Sequence, residues 1–120
     1  MTNHPLKLLF LRPPRHYWPI INEGDNFLLP LAYPTLAGYI RKFLPEIEIK
    51  ILDCCAYRMG WKSLKEFMAS YSPDVVAIGE KVCYCLESER AFRLVKEINP
   101  RIITLAGGQY YSHVVEETFE

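Results

Sequence analysis

The 120-residue chain lacks the nucleotide-binding signatures that are common in α/β proteins. No Gly-x-Gly-x-x-Gly follows its first apolar segment, and no phosphate loop ending in Gly-Lys-Ser or Gly-Lys-Thr occurs. A flavin phosphate loop, the acidic residues of a phosphoacceptor receiver domain and a Gly-x-Ser-x-Gly nucleophile elbow are also missing. These absences argue against dinucleotide oxidoreductases, P-loop NTPases, flavodoxins, receiver domains and α/β-hydrolases.

Excess charge and long apolar runs are absent as well. The chain has 14 Lys and Arg and also 14 Asp and Glu, so it lacks the excess of basic residues that is typical of nucleic-acid-binding proteins. No apolar run reaches the roughly 18 residues that span a bilayer, and the first residues do not have the pattern of an export signal. With 50% hydrophobic residues, the sequence predicts one globular, cytoplasmic domain over residues 1–120 that binds no nucleic acid and has no membrane span.

The four cysteines do not have the usual spacing of a zinc site. Cys54 and Cys55 are adjacent, and Cys83 and Cys85 are separated by one residue, whereas structural zinc sites favour Cys-x-x-Cys. In a reducing compartment we expect free thiols packed near strand ends. A thiol-based metal or redox site is the alternative, because both pairs follow predicted strands.

Apolar segments alternate with segments of helical periodicity along the chain. The predicted strands are Leu6–Leu11, Glu48–Cys54, Val75–Ile78 and Ile102–Ala106. After the first strand, apolar residues recur at helical spacing at Leu36, Ala37, Ile40, Phe43 and Leu44. Two further helices are predicted at Trp61–Tyr71 and Leu86–Ile98, and a fourth is predicted to begin at His113.

This alternation predicts the fold class. Strands joined through helices lie parallel, so we expect an α/β protein with an open, doubly wound parallel sheet of the flavodoxin-like or Rossmann-like type. At least four strands are expected, in the order 2-1-3-4, without the fifth that usually lies beside the fourth. We therefore expect either the N-terminal part of a longer protein or a homodimer that covers the exposed edge of the fourth strand.

In such sheets ligands bind beyond the carboxyl ends of the strands, near the switch in strand order. Gly79 ends the third strand, and Gly107 and Gly108 end the fourth. Without a Cβ, these residues would let a bulky ligand approach bare backbone between tyrosines. A tight turn that requires a positive φ explains the Gly pair equally well.

Several motifs resemble one family in their order and spacing. They are Pro13-Pro14 with the long loop after it, PLAYPTLAGYI at 30–40, EIKILD at 48–53, SPDVVAIG at 72–79 and LAGG at 105–108. Together they resemble the N-terminal cobalamin-binding domain of radical S-adenosylmethionine enzymes, the family of the anaerobic magnesium-protoporphyrin monomethyl ester cyclase and of cobalamin-dependent radical methyltransferases. The resemblance covers nearly the whole chain.

The resemblance implies a cobalamin lying over the strand ends, with its nucleotide tail running beside the sheet. The Asp-x-His-x-x-Gly motif of histidine-on cobalamin proteins is absent, which implies base-off cobalamin without a protein histidine ligand. No catalytic residue and no metal ligand is assigned. The implied cofactor-binding residues are Pro13, Pro14, Arg15, His16, Tyr17, Asp53, Gly79, Glu80, Lys81, Val82, Gly107, Gly108, Gln109 and Tyr110.

The radical chemistry of that family requires Cys-x-x-x-Cys-x-x-Cys, which this chain lacks. The resemblance therefore implies that an iron–sulfur cluster and S-adenosylmethionine belong to a downstream domain, which would be a partner of this one. Glu80 and Lys81 depart from the small or hydroxyl residues that the family usually has there. They motivate an alternative, a degenerate domain that keeps the fold, binds no cofactor and serves as a docking or scaffold unit.

Overall fold

The computed structural model describes residues 4–15, 31–79 and 85–113 and places them in one sheet with helices on both faces. The elements in chain order are β1 (Lys7–Arg12), α1 (Ala32–Phe43), β2 (Glu48–Asp53), α2 (Trp61–Tyr71), β3 (Val75–Gly79), α3 (Cys85–Ile98), β4 (Ile103–Gly107) and α4 (Gly108–His113).

The four strands are all parallel, in the order β2-β1-β3-β4. This confirms the predicted α/β class and strand order. The strand limits predicted from apolar runs agree with the structure to within one residue at either end. For β1 and β3 the agreement follows from the patterning, because strands buried on both faces appear in sequence as short continuous apolar runs.

Each face of the sheet has its own apolar cluster. On one face, α2 and α3 cover alternate strand residues, and Leu9, Leu11, Val76 and Ile78 are at most 1% exposed. On the other face α1 packs on Leu8, Phe10 and Val75. Because strand side chains alternate between faces, one run of apolar residues supplies both clusters.

Helix α1 differs in part from its predicted apolar face. Its buried residues are Tyr33 and Ala37, which are 3% exposed. Leu36, Phe43 and Leu44, which share the predicted helical spacing, are 50%, 57% and 45% exposed. Helix α1 therefore buries a narrow stripe against the sheet and presents apolar side chains outward.

The fourth helix begins earlier than predicted. Helix α4 follows β4 without a loop and covers Gly108–His113, whereas the sequence pattern predicted a start at His113; residues 114–120 lie outside the described part. Gly108, its first residue, has φ 87°, which explains how the chain reverses there so abruptly. Tyr111 is buried and meets Phe92 of α3 edge-on, with ring centroids 6.1 Å apart.

Within the described ranges, none of the helices combines the length and apolar composition needed to cross a bilayer.

Candidate functional site

The carboxyl ends of the strands form two tips. Arg12 of β1 lies opposite Asp53 of β2, and Gly79 of β3 lies opposite Gly107 of β4. The strand order changes direction between β1 and β3, so the switch point lies between the two tips. The site can therefore be described as a β1–β2 tip, a β3–β4 tip and the crevice that separates them.

A buried ion pair between Arg12 and Asp53 occupies the β1–β2 tip. Arg12 is 4% exposed and Asp53 9%, and Nη1 of Arg12 lies 3.5 Å from Oδ2 of Asp53. Oδ1 of Asp53 accepts hydrogen bonds from the backbone N–H groups of Cys55 at 3.0 Å and Ala56 at 3.1 Å. Both carboxylate oxygens are thus engaged in holding β2 to β1 and in shaping the turn after β2.

The prolines after β1 belong to the same closed tip. Pro13 and Pro14 are buried, and the Sγ of Cys55 donates to the carbonyl oxygen of Pro13 at 3.6 Å. Arg15 is half-buried. Pro13 is therefore connected to the turn that follows β2.

The cysteines described by the structure, Cys54, Cys55 and Cys85, form no disulfide bond. Burial, with smaller contributions from the neighbouring Cys55 and Asp53, raises the pKa of Cys54 to about 12. Its thiol stays protonated at neutral pH, and a protonated thiol is a poor nucleophile and a poor metal ligand. Among the described residues no three His, Cys, Asp or Glu side chains converge to hold a metal ion; Cys83 lies outside them.

Among the residues that the structure describes, the β3–β4 tip is open. Between α1 and the sheet at β3 and β4 lies a groove of about 360 Å³, which we call the α1 groove. The described residues that line it include no charged side chain; they are Leu8, Phe10, Ala32, Tyr33, Leu36, Ile40, Ala77, Ile78, Gly79, Leu105, Ala106, Gly107 and Gly108. This volume falls within the range of small-molecule sites, and an apolar lining is typical of them.

Glycines leave the floor of this groove bare. A Cβ built on Gly107 would meet no atom of the described residues within 4 Å, so a side chain there would have room in the groove. A Cβ on Gly79 would lie 3.6 Å from the carbonyl carbon of Gly107, an ordinary contact. Gly108 has the positive φ that the turn explanation requires. The approach of a ligand to Gly107 stays a prediction.

The predicted site residues divide between the two tips. Gly79, Gly107 and Gly108 line the α1 groove, whereas Pro13, Pro14, Arg15 and Asp53 lie at the β1–β2 tip and do not line it. The backbone of Gln109 and Tyr110 belongs to α4. His16, Tyr17, Glu80, Lys81 and Val82 lie outside the described residues. A ligand role for any of these residues stays a prediction.

Analysis of the strand ends missed the walls of the groove. Leu8 and Phe10 of β1 and Tyr33, Leu36 and Ile40 of α1 form them. The alternation along β1 and the spacing of Tyr33 and Ala37 could have identified the inward faces. Nothing in the spacing indicates that α1 leaves β3 and β4 uncovered.

Comparison with known proteins adds one distant relative. The chain is 26% identical over 116 residues to the anaerobic magnesium-protoporphyrin IX monomethyl ester cyclase of Rubrivivax gelatinosus. The match covers 93% of this chain and 20% of the cyclase, so the chain spans about a fifth of that protein's length. No family model matches the chain. No solved structure matches it either.

Proposed function

We propose that this chain is a corrinoid-binding module of a radical S-adenosylmethionine enzyme. The observation that carries the proposal is the α1 groove, an uncharged groove whose floor at the β3–β4 tip is bare glycine backbone. It lies beside the switch point in strand order, where open α/β sheets bind their ligands. The distant similarity to the cyclase supports a relation to that family.

The size and apolar lining of the α1 groove support a role in holding part of such a ligand. A corrin brings its own nitrogen ligands for cobalt, so the protein has to supply a platform and a channel for the appendage. In this proposal the macrocycle lies over the strand tips and the nucleotide appendage runs along the α1 groove. Phe10 and Tyr33 wall the groove, and Gly107 leaves room on its floor.

Each component has a separate task in the proposal. The bound corrinoid, base-off and without a protein histidine ligand, supplies alkyl-transfer chemistry at cobalt. The residues of this chain bind it, orient it and exclude water from its appendage. The iron–sulfur cluster and S-adenosylmethionine belong to another domain of a longer protein, of which residues 1–120 form the corrinoid-binding part.

Titration of the whole chain with hydroxocobalamin tests the proposal. We expect a shift of the visible spectrum and a red species that elutes with the protein from a size-exclusion column, after oxidation or reduction of the corrinoid. An unchanged spectrum together with free corrinoid eluting separately under both conditions would contradict the proposal.

A degenerate docking domain is the second candidate, and one observation favours it. Leu36, Tyr39 and Phe43 of α1 are 50%, 66% and 57% exposed, and Leu105 beside the groove is 52% exposed. Clustered exposed apolar residues are typical of surfaces that another protein covers. The same titration separates the two candidates, because a docking domain without cofactor leaves the spectrum unchanged.

A further inference from the structure

The two central strands stop pairing before they end. Strand β1 pairs with β3 only from Leu8 opposite Val75 to Phe10 opposite Ala77. Beyond that point β1 continues with β2 as far as Arg12, and β3 continues with β4 as far as Gly79. The last two residues of each strand are therefore not joined to each other across the switch point, and a crevice begins there.

The side chain of Tyr33 bridges this crevice. Its ring, 3% exposed, stacks on Phe10 with a centroid distance of 5.4 Å and an interplanar angle of 24°. Its hydroxyl donates a hydrogen bond to the carbonyl oxygen of Leu11 at 2.8 Å. The same hydroxyl accepts one from the backbone N–H of Gly79 at 3.1 Å. The Tyr33 hydroxyl thus connects β1 to β3 beyond the point where their backbone pairing ends.

The bridge matters for the α1 groove because Gly79 has no side chain with which to anchor itself. Pairing with Gly107 of β4 holds it on one side, and the Tyr33 hydroxyl holds it on the other. Both glycines form the floor of the groove, and the Tyr33 ring forms part of its wall. A shift of Gly79 would therefore change the floor and would open the crevice between β1 and β3.

We infer that Tyr33 is a positioning and specificity-determining residue. It holds Gly79 at the groove floor and closes the β1–β3 crevice. A ligand's appendage then lies between α1 and β3–β4. The inference rests on the proposed function. It assigns the Tyr33 hydroxyl to recognition of the appendage and not of the macrocycle, which lies over the strand tips. A corrinoid without the nucleotide appendage should then be insensitive to this hydroxyl.

The Tyr33→Phe variant tests this, because phenylalanine keeps the stacked ring and removes the hydroxyl that bonds to Leu11 and Gly79. Tyr39→Phe is the matched control, since Tyr39 lies on the same helix and is 66% exposed. The full-length chains are titrated with cobalamin and with cobinamide, which has the same corrin ring but no nucleotide. We expect Tyr33→Phe to weaken cobalamin binding about tenfold, the scale of one or two lost buried hydrogen bonds, and to leave cobinamide binding unchanged.

A second measurement needs no ligand. In amide hydrogen exchange by NMR, the Gly79 N–H should exchange faster in Tyr33→Phe than in the wild type or in Tyr39→Phe, because its acceptor is gone. Unchanged exchange at Gly79 would overturn the bridge. Equal weakening of cobalamin and cobinamide binding would show a general structural effect and overturn the specificity role. If the wild type binds neither corrinoid, the proposed function fails and the assignment of Tyr33 to appendage recognition fails with it, whatever the exchange result.

Discussion

The two outer strands of the sheet, β2 and β4, differ in the charge that they carry. On the outer strand β2, charged residues alternate with apolar ones: Nζ of Lys50 lies 5.1 Å from the ring centroid of Phe67, and Glu48 accepts a hydrogen bond from the Tyr71 hydroxyl at 3.1 Å. On the outer strand β4 no charged residue occurs, and Ile103 and Leu105 are 57% and 52% exposed. Charges on an edge strand discourage further pairing, so β2 has a protected edge and β4 does not.

The two tips repeat this difference. Arg12 and Asp53 close the β1–β2 tip with a buried ion pair, while Gly79 and Gly107 leave bare backbone at the β3–β4 tip. In one half, a buried ion pair and hydrogen bonds to the turn after β2 occupy the strand ends. The other half carries an apolar face and open space beside the switch point. From this difference we expect mutations in the first half to affect stability, and mutations in the second to affect binding or association.

The largest effect is expected at the closed tip. Asp53→Ala removes the partner of a buried guanidinium and the acceptor of two turn amides, so the free energy of unfolding should fall by about 3 kcal/mol. Asp53→Asn is the matched control, because it loses the charge but can keep the turn acceptor, and it should lose only about 1.5 kcal/mol. Urea unfolding measures both. A loss below about 0.5 kcal/mol for Asp53→Ala would contradict a structural role for the tip.

At the open tip the expected effect is on affinity. Gly107→Leu places a side chain where a Cβ meets nothing within 4 Å, so the fold should tolerate it while the groove is filled. We expect corrinoid affinity to fall about a hundredfold, with the unfolding free energy changed by no more than about 0.5 kcal/mol.

Gly38→Leu serves as control, because its Cβ also has open space but Gly38 lies on α1 outside the groove lining. Spectroscopic titration of both variants decides the matter. Full affinity in Gly107→Leu would show that the ligand does not use this groove.

The smallest effect is expected at the outer edge of β4, where self-association through a second copy stays a prediction. Light scattering over a range of concentrations should show a mass that rises toward twice the monomer mass. Ile103→Lys gives β4 a charge like those on β2 and should keep the protein monomeric, with a stability change within about 0.5 kcal/mol. Leu86→Lys, at a position 73% exposed on α3, should still associate. A wild type that is monomeric at every concentration would contradict pairing through β4.

Much of the fold could be predicted because its signals are local. Short apolar runs such as the one that forms β1 identify strands, and helical spacing between them implies parallel connections. The face of α1 could not be predicted as well, because Leu36 and Phe43 have the same periodicity as buried residues and yet are 50% and 57% exposed. Periodicity locates an apolar stripe on a helix, but only the position of the neighbouring strands decides which part of it is covered.

The candidate site, like the fold, could be predicted only in part. The glycines at the strand ends could be recognised, since strand ends are local features and their meeting at one edge follows from parallel order. Tyr33 could not, because its hydroxyl joins partners 22 and 46 residues away along the chain. A tyrosine between Ala32 and Pro34 has no sequence feature that indicates a bridge between two strands.

The sequence by itself determined the parallel α/β strands and the glycines at the carboxyl ends of β3 and β4, because these follow from local apolar patterning, and the order 2-1-3-4 is the usual one for such a sheet. Only the tertiary structure decided that Arg12 and Asp53 close one tip, that α1 leaves a groove over β3 and β4, and that Tyr33 spans the crevice. Those features depend on where strands distant in sequence stop pairing, and on which backbone groups are then left for a side chain to satisfy.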